Sequence, residues 1–220
     1  MLTEDYLSRI ISQAVAALLE ALGLRKSGHY EEALQVIHTA LEGLFGVPVR
    51  LLLRMDHNSM LDVLTKEGKL DINRAVVAAD LFREAGEIQS EMNRSSEANV
   101  SYSRALDMYL DVAFAGEDTR SPELDQTIIA HHRKLNSRLV PETAYALFYY
   151  YQETGNHSGA ISALDELLDD AHRELIIMEE AVEYYRALLQ TPDDLLIDAG
   201  ISKREVESRL ENLNNELSGE

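Results

Sequence analysis

Gly28-His29-Tyr30-Glu31-Glu32-Ala33-Leu34-Gln35-Val36-Ile37-His38-Thr39-Ala40-Leu41 reads as a tight turn followed by a helix with Ala33, Ile37 and Ala40 on one face. Gly28 ends a long apolar-periodic run, and glycine is the residue that tolerates the left-handed angles of a helix stop. Arg25 and Lys26 stand in the last turn before it, where cations meet the negative end of the helix dipole; Glu31 and Glu32 open the next helix, where acids are favoured. Two helices joined by so short a turn form a helical hairpin. The small side chains of Ala33 and Ala40 let the second helix approach the first closely.

Working outward, the same grammar covers the chain. Thr3 can cap a first helix that Glu4 and Asp5 favour, and Leu7, Ile11, Ala14, Leu18 and Leu22 form its stripe, widened by Ile10, Val15, Ala17, Leu19 and Leu24. A helix this apolar is expected either in the centre of the core or buried against a second copy of the chain. Gly46 and Pro48 end the second helix. Val49 to Met55 is a short apolar piece, and Asn58 or Ser59 can cap a further helix to about Lys66, stopped by Gly68. This irregular stretch over 48–68 reads as a degraded repeat or an inserted hairpin. Long helices follow from Ile72 to about Met92 and from Glu97 to Ala115. Ser121-Pro122-Glu123 starts another, with a cap, a first-turn proline and an acid, which runs to about Leu135. Pro141 to Gly155, Ser158 to about Asp170 and Glu174 to Gln190 continue the series. Ser202-Lys203-Arg204-Glu205 is a capping box before a last helix whose seam, Val206, Leu210, Leu213 and Leu217, suits a terminal cap or a coiled-coil contact. No strand is expected: alternation is not sustained and no Asn-Gly or Asp-Gly turn joins β-branched runs.

The hairpin resembles the tetratricopeptide repeat, a helix–turn–helix unit of about 34 residues. Two later places share the pattern: Phe82, Ala85 and Gly86 with Ala98, Tyr102 and Ala105, and Leu147, Tyr151 and Gly155 with Ala160, Leu164 and Leu167. Glu20 stands where the family's first helix carries a leucine, and Phe148 where a small residue is usual. Ala33, Ala98 and Ala160 lie 65 and 62 residues apart, roughly twice the family period, so degenerate units would fill the intervals. The resemblance implies an all-α fold of stacked antiparallel hairpins, a TPR-like superhelix of about 9–12 helices, in one domain over 1–220. The repeat-like units would lie near 4–45, 72–115 and 141–170, with irregular helices over 48–68 and 121–135 and capping helices over 174–218. It also implies a non-catalytic scaffold for protein or peptide partners, which bind on a concave face lined by the first helix of each unit.

Composition narrows the function classes. Lysine and arginine number 20 against 39 aspartates and glutamates, a net charge of −19. That field repels duplex nucleic acid and anionic lipid, so neither is an expected partner. The chain has no cysteine, which removes disulfides, thiolate catalysis and cysteine metal sites and suits a reducing cytoplasm. The N-terminus, Met-Leu-Thr-Glu-Asp, is not the cationic start of a signal peptide, and the run Ala14 to Leu24, broken by Glu20, is short for a bilayer span.

No motif carries catalysis: there is no phosphate-binding glycine loop, no Gly-x-Ser-x-Gly and no His-Glu-x-x-His. No cofactor or metal is expected. Asp169 and His172 have the spacing of a carboxylate–histidine ligand pair, but no second such run exists to complete a helical metal centre. The acidic groups Asp165, Glu166, Asp169, Asp170 and Asp193, Asp194, Asp198 follow helical periodicity and read as solvated faces. His131-His132-Arg133-Lys134 with Arg138 is the one basic patch, placed at a helix C-terminus where cations are expected and able to dock a phosphate or an acidic peptide. The resemblance places Arg83, Tyr145, Tyr149 and Gln152 in the groove as partner contacts, with Asp80 and Glu87 in comparable positions and Leu147 and Tyr151 packed inside. The tyrosines would otherwise pack between helices. Leu18 and Leu22 occupy the places that carry the family's lysine and asparagine carboxylate clamp, so no clamp is expected; those leucines point to a groove segment filled by the chain itself or by a second copy. A small-ligand or metal-dependent helical enzyme, with a site assembled from scattered carboxylates and histidines, is the alternative.

Overall fold

The computed structural model describes residues 2–135, 139–169 and 175–218. Thr3, Glu4, Asp5, Asp194 and Asp198 are described in backbone only, and Arg138, Asp170, His172 and Glu174 lie outside the described residues. The chain forms two compact units, 1–137 and 138–220.

The first unit begins with the helical hairpin α1 (Leu2–Lys26) and α2 (Tyr30–Phe45). Gly28 takes φ 78° between them, the left-handed angle its place demands. Helix α5 (Ile72–Glu91) packs on both α1 and α2, and its closest partner is α6 (Ser95–Phe114), which in turn carries α7 (Pro122–Lys134). Ala33, Ile37, Phe82, Ala85, Ala98, Tyr102 and Ala105 are all buried. Gly86 shows why α5 and α6 fit so closely: a Cβ there would stand 2.7 Å from the Tyr102 ring. Arg25 does more than meet a helix dipole. Its Nε lies 2.6 Å from the buried carboxylate of Glu84 and its guanidinium donates to Glu91 at 2.8 Å, which pins the end of α1 to α5. Burial pushes the Glu84 carboxyl upward and Arg25 opposes that push.

Residues 48–71 depart from the sequence expectation. They form α3 (Val49–Leu52), α4 (His57–Leu64) and a two-residue ribbon, β1 (Thr65–Lys66) paired antiparallel with β2 (Lys69–Leu70). The ribbon's turn is Glu67-Gly68, both at positive φ, 53° and 75°. Glutamate is an uncommon residue there, so the hairpin turn left no Asn-Gly or Asp-Gly signature. Asp56, rather than Asn58 or Ser59, caps α4 by accepting the Ser59 amide at 2.8 Å. Arg104 of α6 fastens the insertion by donating to the Leu52, Leu53 and Met55 carbonyls at 3.2, 2.8 and 3.2 Å.

Helix α1 also differs from a central core helix. Only Ala14 and Ala21 are buried among its described side chains, while Leu19 is 65% and Val15 40% exposed. Within it, Tyr6–Lys26 is long and apolar enough to cross a membrane by length and composition.

The second unit comprises α8 (Pro141–Glu153), α9 (His157–Leu168), α10 (Leu175–Gln190), α11 (Asp193–Asp198) and α12 (Lys203–Ser218). Helix α8 pairs with α9, and α10 with α12. Asn156 caps α9 through the Gly159 amide at 3.0 Å, and Gly159 lies under the Tyr151 ring, which a Cβ would meet at 2.8 Å. Ser202 accepts the Glu205 amide at 3.2 Å, as the capping box requires. The acidic groups of α9 are engaged: Asp165 pairs with Arg209, and Glu166 accepts the Leu139 amide at 3.3 Å.

Candidate functional site

In the first unit, a groove of about 840 Å³ lies between α5 and α7, floored by Tyr109 and Val112 of α6. Asp80, Arg83 and Glu87, at intervals of three and four residues, put one polar face of α5 into it. Helix α7 supplies Leu124, Thr127, His131 and Lys134 opposite. It can do so because Ser121 caps it, accepting the Leu124 amide at 3.2 Å, and Pro122 fits the first turn.

The polar groups are paired within α5 and across the helices. Tyr109 donates to Asp80 Oδ1 at 2.6 Å, and Arg83 Nη2 donates to the same oxygen at 3.3 Å. Burial and the Asp80 charge push the Tyr109 phenol upward, so it stays a donor. Lys134 donates to Glu87 and lies 5.7 Å from the centre of the Tyr102 ring. Burial raises the Glu87 carboxyl, but the hydrogen bond and charge of Lys134 outweigh it and leave it below the usual range.

His131 is 4% exposed, with its ring edge-on to Tyr109 at 5.4 Å and Tyr102 at 6.2 Å. Its Nδ1 lies 2.7 Å from the Thr127 carbonyl, which can only accept, so Nδ1 carries the proton and Nε2 is a bare acceptor. Nε2 has no partner among the described residues. Burial lowers the imidazole's pKa and holds it neutral.

Arg83 thus lines the groove of the first unit, while Tyr145, Tyr149 and Gln152 belong to the second. There Tyr145 donates to the Glu180 carboxylate, with both oxygens 2.8 Å away, and its hydroxyl is 3.2 Å from that of Tyr149. The two rings meet edge-on at 4.9 Å. Tyr145 therefore ties α8 to α10, Tyr149 remains 38% exposed beside it, and Gln152 is half-buried. Leu147, Tyr150 and Tyr151 pack inside.

The basic patch of α7 is divided: His131 turns inward, Lys134 closes on Glu87 and Arg133 is exposed. Sequence reasoning missed Tyr109, Thr127 and Leu124 as groove residues. The signal available was the spacing of Leu124, Thr127, His131 and Lys134, an i, i+3, i+7, i+10 face on one helix. Among the described residues, no three histidines, aspartates or glutamates come together to hold a metal.

One family model, described as a family of unknown function (DUF6483), matches residues 1–218. No curated protein and no solved structure matches the chain.

Proposed function

The chain belongs to the DUF6483 family, of unknown function, and we propose that it is a non-catalytic, cytoplasmic module that holds a protein or peptide partner in the α5–α7 groove. The observation that carries this is the groove itself. Its volume of about 840 Å³ falls in the range of binding sites, about 300–1,000 Å³, and two helices turn regularly spaced side chains into it. A repeat-like construction supports the same reading. Helix α5 packs on both helices of the preceding hairpin, and Gly86, Ala98 and Ala105 give the close contacts that a tetratricopeptide-like unit uses. On this reading α5 is the first helix of such a unit, the one that lines the concave face.

A photo-crosslinking amino acid at Gln126, exposed and in the groove wall, tests the proposal in the native cell. The expected result is a discrete crosslinked partner that Thr127→Trp, which fills the groove, diminishes and that Lys69, exposed on the β-ribbon, does not capture. Equal capture from both positions overturns it.

The apolar flank of α1 favours a second reading, self-association. Ile11, Val15, Leu18 and Leu22 are spaced four, three and four apart without a charge. Paired antiparallel with a copy, Ile11 meets Leu22 and Val15 meets Leu18, the self-complementarity a two-fold interface needs. A bilayer is the poorer occupant: a span needs about 20 free residues, whereas α1 is packed along α2 and α5. Light scattering would give twice 24.7 kDa and a single-chain mass for Leu19→Glu; a wild-type monomer would end the idea.

A further inference from the structure

The groove is not the same along its length. Helices α5 and α7 run side by side in the same direction: Lys134 near the end of one meets Glu87 near the end of the other, while Ile72, Val76 and Leu124 mark their starts. From Ile72 to Glu87 the α5 wall is about 22 Å long. At the far end each cation already has its acid, Arg83 with Asp80 and Lys134 with Glu87. An anionic ligand would have to break half-buried pairs, leaving a carboxylate without its partner. At the near end Ile72, Val76 and Leu124 give an apolar patch beside Thr119 and Ser121, and the rim carries Asp118 and Glu123, neither of which is paired with a basic side chain among the described residues. The whole lining holds four acids, Asp80, Glu87, Asp118 and Glu123, against two bases, Arg83 and Lys134, an excess of two negative charges. His131 does not offset this, because it stays neutral, and its unpaired Nε2 adds an acceptor.

We propose that the segment held in this groove is basic and amphipathic, with an apolar side chain seated between Ile72, Val76 and Leu124 and flanking lysines or arginines that pair with Asp118 and Glu123. This rests on the reading of the groove as a partner site and adds the partner's chemistry. Charge alone would draw cations to any face of a chain of net charge −19; the apolar seat is what localises them.

Fluorescence anisotropy on the full chain tests it with three labelled 16-residue peptides: a leucine/lysine amphipathic sequence, its leucine/glutamate counterpart, and a serine/lysine sequence of equal charge. The leucine/lysine peptide is expected to bind at least about ten-fold more tightly than the others, the difference of about 1.4 kcal/mol that one seated apolar side chain supplies. Asp118→Asn with Glu123→Gln should weaken it about three- to ten-fold, the worth of two exposed ion pairs. Val76→Glu is the decisive variant: simple charge attraction would make binding stronger, whereas a filled apolar seat makes it weaker. Leu124→Glu, on the other wall, repeats that test should Val76→Glu lower the melting temperature. Equal binding of the serine/lysine peptide, tighter binding to Val76→Glu, or no binding of the leucine/lysine peptide overturns the proposal. A leucine/glutamate peptide that binds and is displaced by the Leu124 substitution would overturn the basic partner while leaving the groove a partner site. Loss of the discrete crosslink from Gln126 would remove the partner site itself.

Discussion

Gly86→Ala adds one methyl group where α5 touches α6, and the structure sets its sign. The new Cβ would stand 2.7 Å from Cδ1 and Cε1 of Tyr102 and 3.1 Å from Cγ, well inside contact distance. The ring has little room to retreat. It is 5% exposed, with the Lys134 ammonium 5.7 Å from its centre and the His131 ring at 6.2 Å. Overpacking costs about 1–3 kcal/mol, and contacts of 2.7 Å against an enclosed ring fall in the upper half of that range, about 2–3 kcal/mol. Alanine's better helix propensity returns about 1 kcal/mol. The net expectation is a loss of about 1–2 kcal/mol and a melting temperature lower by about 3–6 °C. Gly43→Ala supplies the control, since it lies in α2 with nothing within 4 Å of its Cβ position and keeps only the propensity gain, about 0.5–1 kcal/mol. Urea denaturation with unchanged m-values measures both. Gly86→Ala with Tyr102→Leu should recover part of the loss, because the two substitutions share one contact. A Gly86→Ala protein as stable as wild type, alongside a stabilised Gly43→Ala, would refute the claim that this glycine is held by the tyrosine ring and would remove the packing argument for the α5–α6 pair.

The remaining predictions concern charge and the tyrosines. His57 Nε2 lies 2.9 Å from Asp111 Oδ2, and that hydrogen bond raises the imidazole pKa above its ordinary 6.5 against the opposing effect of burial. Its contribution is therefore fully present below about pH 6.5 and is lost as pH rises through the folded-state value. The unfolding free energy of wild type minus that of His57→Gln, from urea denaturation, should shrink between pH 6 and pH 9, by under about 1 kcal/mol for a pair this exposed. A difference independent of pH would rule the pair out. His131 and His38, lowered chiefly by burial, act in the opposite sense and are lost as pH falls below 6.5; taking the difference against the variant separates them from His57. Tyr149→Ala should cost about 0.5–1.5 kcal/mol, the worth of its ring contacts, and leave helicity intact. Tyr150→Ala, at 0% exposure, should cost about 3–5 kcal/mol. Equal losses of melting temperature would place Tyr149 in the core.

What the sequence disclosed follows from the range of the forces involved. Helix starts and stops are local: Gly28, Ser121-Pro122 and Ser202 act within one turn of themselves, and each stands where its residue type implied. The alanine and glycine contacts at Ala33, Gly86 and Ala98 were legible too, because small residues at helical spacing have few other uses. The Glu67-Gly68 turn was hidden because its first residue is ordinary and only the tertiary setting holds it at φ 53°. Glu180 was hidden for another reason. It lies 35 residues from Tyr145, and no spacing rule links a tyrosine on one helix to an acid two helices later. Lys134 and Glu87, 47 residues apart, are the same case; as a run of basic residues Lys134 read as a docking patch, whereas in the fold it closes one end of the groove. Helix α1 marks the deepest limit. Periodicity states which face of a helix is apolar and says nothing of what covers it, so Ile11, Val15, Leu18 and Leu22 were equally consistent with a core and with a second chain. In the fold Val15 and Leu19 are exposed, so the first hairpin leaves that flank uncovered. The apolar seat at Ile72, Val76 and Leu124 differs in kind. There the neighbouring helices are fixed and the acids on the rim are named, so the proposed occupant is specified by its charge as well as its apolar face.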